Sequence, residues 1–237
     1  MPPATPAPFR GPGPYTRPVP AAVIDLRSVG VRLGDTPILR DLDLRVEAGE
    51  AVGLIGANGS GKTTLLRLLA TLLAPTDGEG AVLGASLSSP ERFAVRPRIG
   101  LIGHTPGLYP QLTLEENLAF VARIAGIPGE AVGEVLDRVG LGLARHRRAA
   151  ACSHGMQRRG EFARVMLTRP DLLLLDEAHA GLDSQAADLV AHLVEGVRRR
   201  GGAAVVVSHE PGRIAPLVGR FVELQAGAVA DPGTAAS

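Results

Sequence analysis

Gly56-Ala57-Asn58-Gly59-Ser60-Gly61-Lys62-Thr63 follows the apolar run at 51–55 and leads into a helical pattern, so G-x-x-x-x-G-K-[ST] sits between a strand and a helix. The glycines let the backbone turn its amides toward an anion. Successive N–H groups, with the positive end of the following helix, make a nest for phosphate oxygens. Lys62 is placed to reach the outer phosphates, the Thr63 hydroxyl can ligate the magnesium ion they carry, and Thr64 completes the phosphate-binding set. A strand-loop-helix unit of this kind requires a sheet with helices packed on it, which is an α/β architecture.

Of the 25 basic residues 24 are arginine, and Lys62 is the sole lysine. A chain that uses arginine everywhere else keeps a compact ammonium only in this loop. Guanine-specific hydrolases need a second lysine in Asn-Lys-x-Asp, and protein kinases need a strand lysine besides a His-Arg-Asp loop, so neither class fits. The chain has 237 residues, 45% hydrophobic and 21% charged, enough for one domain with a core and an insert. A net charge of +1 and seven aromatics without tryptophan supply neither the field nor the stacking platform of a nucleic-acid binder, so no nucleic-acid partner is expected. One cysteine, Cys152, precludes an internal disulfide and fits a reducing compartment, with the cytoplasm as the expected location.

Eight prolines in the first twenty residues forbid regular structure, so residues 1–22 are expected to be a disordered tail without the apolar core of a signal peptide. No stretch reaches the roughly 18 to 20 apolar residues that span a bilayer. From Val23 onward short apolar runs alternate with helical patterns. Strands are expected at 23–26, 42–46, 51–55, 99–102, 172–175, 203–207 and 221–224, in a largely parallel sheet. Helices are expected at 62–73 and 184–199, the second with Ala186, Leu189, Val190, Leu193 and Val197 on one face. Thr113 with Glu116 reads as a capping box opening a helix to Ala125, Gly126 to Gly129 as a break, and a further helix follows. The expected organisation is a domain over 23–226, with its core at 23–103 and 162–226, a helical insert at 104–161, and a flexible tail at 227–237. The basic run Arg145 to Arg148 reads as a solvated face.

A second functional cluster ends the run Leu172 to Leu175. Asp176 and Glu177 stand at the carboxyl end of a buried strand, where open α/β sheets bind ligands. Asp176 suits a metal shell, and Glu177 suits polarisation of the water that attacks a γ-phosphate.

With Lys62, Asp176 and Glu177 in place, the order of the remaining motifs resembles the ATP-binding cassette ATPases of membrane transporters over about residues 23–225. His104 stands where that family's Q-loop carries Gln. Ser153-His154-Gly155-Met156 stands at the signature, Gly181-Leu182-Asp183 at the D-loop, and Ser208-His209 at the switch histidine. The resemblance implies a P-loop NTPase fold of the RecA-like type, α/β, with a mixed-sheet core and a helical signature subdomain. It implies ATP and Mg2+ as ligands, with Lys62, Glu177 and His209 as the catalytic set. It further implies a head-to-tail dimer of ATPase subunits, in which Ser153 and the Gly155 amide of one subunit complete the site of the other and Asp183 lies across the seam. A separate membrane-spanning permease, with this chain peripheral on the inner face of the membrane, completes the expectation.

The sequence departs from the family pattern in several places. Cys152, His154 and Met156 replace three of the five signature positions, Ala178 replaces the proline after the catalytic glutamate, and Leu33 stands at the position of the adenine-stacking aromatic. Cys152 itself reads as a buried small apolar residue rather than a redox centre. The segment from Ile102 to Gly107, leading to Leu112-Thr113 and Glu116-Asn117-Leu118, resembles the haem-exporter ATPases of cytochrome c maturation. The Ser153 to Met156 signature resembles general drug, polysaccharide or lipid exporter ATPases instead, so both cargo classes stay open. Soluble cassette ATPases of nucleic acid or ribosomes carry two cassettes or a long coiled coil, which 237 residues do not supply. A small P-loop nucleotide kinase leaves Ser153 and His209 unexplained.

Overall fold

The computed structural model describes residues 18–177 and 184–230. Gly34, at φ +59, closes the hairpin between β1 (Ala22–Leu33) and β2 (Thr36–Glu47). Along β2, Leu42, Leu44 and Val46 are buried while Asp43, Arg45 and Glu47 are exposed, the two-residue period of a sheet with one wet face. β3 (Ala51–Ile55), α1 (Lys62–Leu69), β4 (Asp77–Val82), β5 (Ala85–Ser86) and β6 (Ile99–Ile102) follow. Then come α2 (Leu114–Ala125), α3 (Glu130–Arg138), α4 (His154–Thr168), β7 (Leu172–Asp176), α5 (Ser184–Arg199), β8 (Ala203–Val207), β9 (Arg220–Gln225) and β10 (Ala228–Val229).

The chain divides into two compact units among the described residues, one over Pro106–Arg169 and one combining Pro18–Thr105 with the chain from Pro170 onward. The larger unit holds two sheets. One is antiparallel with strand order β2-β1-β4-β5, and the other runs β10-β9-β3-β8-β7-β6, parallel except for β10. Every residue of β7 and β8 is buried, as expected of parallel strands covered on both faces. Leu65, Leu66, Leu68 and Leu69 of α1 join Leu26, Leu42, Leu54, Leu172 and Val205 in one core, each such side chain contributing about 1.5–3 kcal/mol. On α5 the buried face is Val190, Leu193, Val194 and Val197, with Leu189 half-buried.

The smaller unit is helical. Thr113 caps α2 with the reciprocal bonds of a capping box to Glu116, and Gly126 ends the helix at φ +66. Buried Asn117 accepts from the Tyr109 N–H at 2.7 Å and donates to the carbonyls of Tyr109, Leu112 and Thr113, so the segment leading into α2 is pinned by one side chain. Glu161 on α4, 1% exposed, accepts from the Gly107 N–H at 2.8 Å and pairs with Arg158 at 3.0 Å. The basic run is only partly a solvated face, because Arg145 is half-buried and pairs with Asp137 at 3.1 Å.

Several expectations are corrected. The mixed sheet is divided into two, one of them wholly antiparallel, and its β4 lies outside the expected strands. β4 is polar and glycine-rich and becomes a strand because β1 supplies its hydrogen bonds, with Gly80 opposite Leu26 where a Cβ would stand 2.8 Å from the Leu26 side chain. α1 ends at Leu69 rather than at residue 73, since Thr71 turns to φ +60 and the Arg96 guanidinium binds both its carbonyl (2.8 Å) and its hydroxyl (2.9 Å). Ala22 already lies in β1, and the Ala21 carbonyl accepts from the Ala48 N–H, so order begins before residue 23; residues 1–17 lie outside the described residues. Residues 227–230 are no tail, because β10 pairs with β9. The helical unit runs to Arg169 rather than 161, since α4 is one unbroken helix to Thr168.

Candidate functional site

Four neighbouring parallel strands, β3, β8, β7 and β6, end on one edge of the larger sheet. Their carboxyl ends carry, in that spatial order, the Gly56–Thr63 loop, His209, the Asp176-Glu177 pair and His104. Residues spread over about 150 positions of sequence thus converge because parallel strands share one polarity, at the edge where such sheets bind ligands.

The loop is built from backbone. Gly56, Gly59 and Gly61 have φ of +146, +80 and +105, and Gly61 is the N-cap of α1 with no side-chain cap. At Gly56 a Cβ would collide with the Leu224 carbonyl and lie 2.8 Å from Ser60 Oγ, so this bend is open only to glycine. The uncapped N-terminus leaves the first amides of α1 for an anion. Lys62 is 7% exposed, and its ammonium donates to the Gly56 and Ala57 carbonyls, both at 2.8 Å. The loop thereby holds its own lysine in position beside the nest.

Opposite the loop, Thr63 Oγ1 donates to Asp176 Oδ2 at 3.3 Å. Burial raises the Asp176 carboxyl above its ordinary range and the Glu177 charge adds to this, while the Thr63 bond and the charges of His104 and Lys62 oppose it. Glu177 has φ +52, costing about 1–2 kcal/mol for a residue with a Cβ, and its N–H donates to the Val207 carbonyl at 3.2 Å. That twist presents its carboxylate to His209, whose Nε2 lies 2.5 Å from Glu177 Oε1. The Ser208 hydroxyl, bonded to both the N–H and the carbonyl of Glu210, fixes the turn that carries His209.

Ile38, Asn58, Gly59, Gly61, Lys62, Thr63, Thr64, Asp176, Glu177 and His209 line one cavity of about 310 Å³, within the size range of small-molecule sites. Gly56, Ala57 and Ser60 belong to the same loop but are not among the residues that line the cavity. His104 is not in the lining, although its charge acts on Asp176. Ile38 was not foreseen, since nothing in its local pattern marks it as a site residue. Leu33 is 45% exposed at the end of β1 and is not part of the lining. Ser153 and Gly155 lie in the helical unit, where Ser153 Oγ caps α4 by accepting from the Met156 N–H at 3.3 Å and Gly155 is exposed. Ala178, Gly181, Leu182 and Asp183 lie outside the described residues. Cys152 is buried, its thiol pushed up by burial, in keeping with an apolar rather than a redox role.

The donor set suits magnesium. Thr63 and Asp176 offer two adjacent oxygens, and magnesium typically takes one or two carboxylates with phosphate oxygens and water. A cation here also offsets the burial that disfavours the Asp176 charge.

Comparison with known proteins gives a consistent picture. The family profile described as ABC transporter matches residues 39–180. The chain is 39% identical over 202 residues to the lipoprotein-releasing system ATP-binding protein LolD of Nitratidesulfovibrio vulgaris, covering 82% of this chain and 87% of that protein. It is 36% identical over 193 residues to the cytochrome c biogenesis ATP-binding export protein CcmA 2 of Cupriavidus metallidurans, covering 80% and 90%. Among solved structures, a dimeric ATP-binding cassette in a post-hydrolysis state with ADP and Pi superposes with a TM-score of 0.78 at 25% identity, covering 88% of this chain and 97% of that one.

Proposed function

Since this chain belongs to the ABC transporter family, as an ATP-hydrolysing, ATP-binding subunit, we propose that it energises a haem exporter serving cytochrome c maturation. The observation that carries the cargo reading is the Ile102 to Gly107 segment with His104 at the end of β6, and the 36% identity to a cytochrome c biogenesis export ATPase supports it.

The residues divide the chemistry among them. Lys62 and the loop amides hold the phosphates and offset their charge. Thr63 and Asp176 would hold magnesium, which would offset phosphate charge when bound. His209 leaves Glu177 for the γ-phosphate when nucleotide enters, and the freed Glu177 carboxylate accepts a proton from water as its oxygen attacks the γ-phosphorus. The bond from that phosphorus to the bridging oxygen breaks, and ADP and phosphate result. A second ATPase subunit closes head to tail, presenting its Ser153, Gly155 and Asp183 to this site. A separate membrane-spanning permease couples closure to transport, with this chain peripheral on the cytoplasmic face. Among the described residues no helix is long and apolar enough to cross a membrane.

A strain carrying Glu177→Gln should accumulate apo-cytochrome c while haem b proteins remain normal, because only haem attachment outside the cytoplasm stalls. The second reading is lipid or lipoprotein export, favoured by the 39% identity to a lipoprotein-releasing ATPase and by the Ser153 to Met156 signature. Normal covalent haem staining with an altered envelope or drug hypersensitivity would select that reading over haem.

A further inference from the structure

The phosphate loop is held from behind by a turn near the far end of the chain. Gly227, between β9 and β10, donates its N–H to the Ser60 carbonyl at 3.0 Å, and its own carbonyl accepts from the Arg40 N–H of β2 at 2.9 Å. One residue therefore ties the loop to the antiparallel sheet. Gly227 has φ +87, and a Cβ there would collide with the Ile38 carbonyl and stand 3.3 Å from Leu39 Cα. No side chain fits in that space.

A peptide unit is planar and trans, so its C=O and N–H point in opposite directions. The Ser60 carbonyl shares its peptide unit with the Gly61 N–H. Directing that carbonyl at the hairpin turns the Gly61 amide to the other side, and Gly61 lines the cavity. The orientation is not secured locally, because glycine at 61 leaves φ soft and α1 has no side-chain cap. An external bond is what selects one orientation.

We propose that Gly227 is a positioning residue for the ATP site, whose N–H presets the peptide between Ser60 and Gly61 so that the Gly61 amide faces the phosphates. The proposal rests on the ATP site described above. Gly227→Ala should raise the KM and Kd for MgATP about tenfold while kcat stays within about threefold, since ground-state and transition-state phosphate binding weaken together. Arg40→Pro removes the second bond of the strut on an edge strand, where proline is tolerated. It should weaken MgATP binding several-fold relative to Arg40→Ala, which keeps the N–H. Folding is followed by thermal melting of each variant. A folded Gly227→Ala protein with KM and Kd within twofold of the parent, or one that loses kcat at constant KM, would overturn the proposal. If Gly227→Ala does not fold, the Arg40 pair decides, and equal MgATP affinity in the two variants overturns it. Loss of MgATP binding in Lys62→Ala tests the site itself, so failure of the strut leaves the site assignment standing.

Discussion

His209 Nε2 and Glu177 Oε1 lie 2.5 Å apart, with the two side chains 41% and 26% exposed. The glutamate that would polarise the attacking water is engaged by the histidine that would meet the γ-phosphate. In the proposed mechanism nucleotide entry exchanges this Glu177 contact of His209 for one to the γ-phosphate. The pair is delivered by adjacent strands, β7 and β8, and by the left-handed backbone at Glu177.

Glu177→Gln keeps the shape of the side chain and removes its capacity to accept a proton. ATP affinity should stay within about threefold of the parent, while turnover falls by about 100-fold or more. Single-turnover measurement with radiolabelled ATP separates the two, and parental hydrolysis in this variant would remove Glu177 from the catalytic role. His209→Ala should also slow turnover, and the double variant should show less than the sum of the two effects because the residues share one interaction.

Lys62→Ala removes the ammonium that the loop holds with two carbonyl bonds. The protein then meets the phosphate charge without a side-chain cation from the loop, and ATP binding or turnover should be lost. Equilibrium titration with a fluorescent ATP analogue measures binding directly. Near-normal ATPase activity would contradict the phosphate-site assignment.

Burial raises the Asp176 pKa above that of the unfolded chain, so its charge destabilises the fold. This cost appears as pH rises through the unfolded carboxylate pKa, and it is complete above the raised folded value. Asp176→Asn should therefore melt at a higher temperature than the parent near pH 7.5, with the difference shrinking toward pH 4. The same substitution removes a proposed magnesium donor and should abolish metal-dependent hydrolysis. A melting difference that does not change with pH would refute the linkage.

Among the described residues the cavity lining holds Ile38 but no Phe, Tyr or Trp, and Leu33 lies outside it. Phosphate contacts should dominate nucleotide affinity, leaving poor discrimination between bases. ATP and GTP should differ in Kd by less than about 100-fold, or about 2.7 kcal/mol. A larger preference in competition binding would mean that another group reads the base.

Local chemistry dictates much of this protein. The loop from Gly56 to Thr63 is legible as a phosphate nest from its own glycines and the helix pattern that follows, although its Ser60–Gly61 peptide is bonded from outside by Gly227. The capping box at Thr113 and Glu116 and the buried runs of β7 and β8 are likewise set by side chains next to one another. What lay beyond local reading depends on partners distant in sequence. β4 is a strand because β1 pairs with it, α1 stops early because Arg96 reaches Thr71, and Ile38 joins the cavity because β2 passes beside the loop. The contact of Glu177 with His209 and the bond from Gly227 to Ser60 join residues 32 and 167 positions apart. Residue types and periodicity encode which groups a segment can offer, whereas the register and polarity of the assembled sheets decide which groups meet.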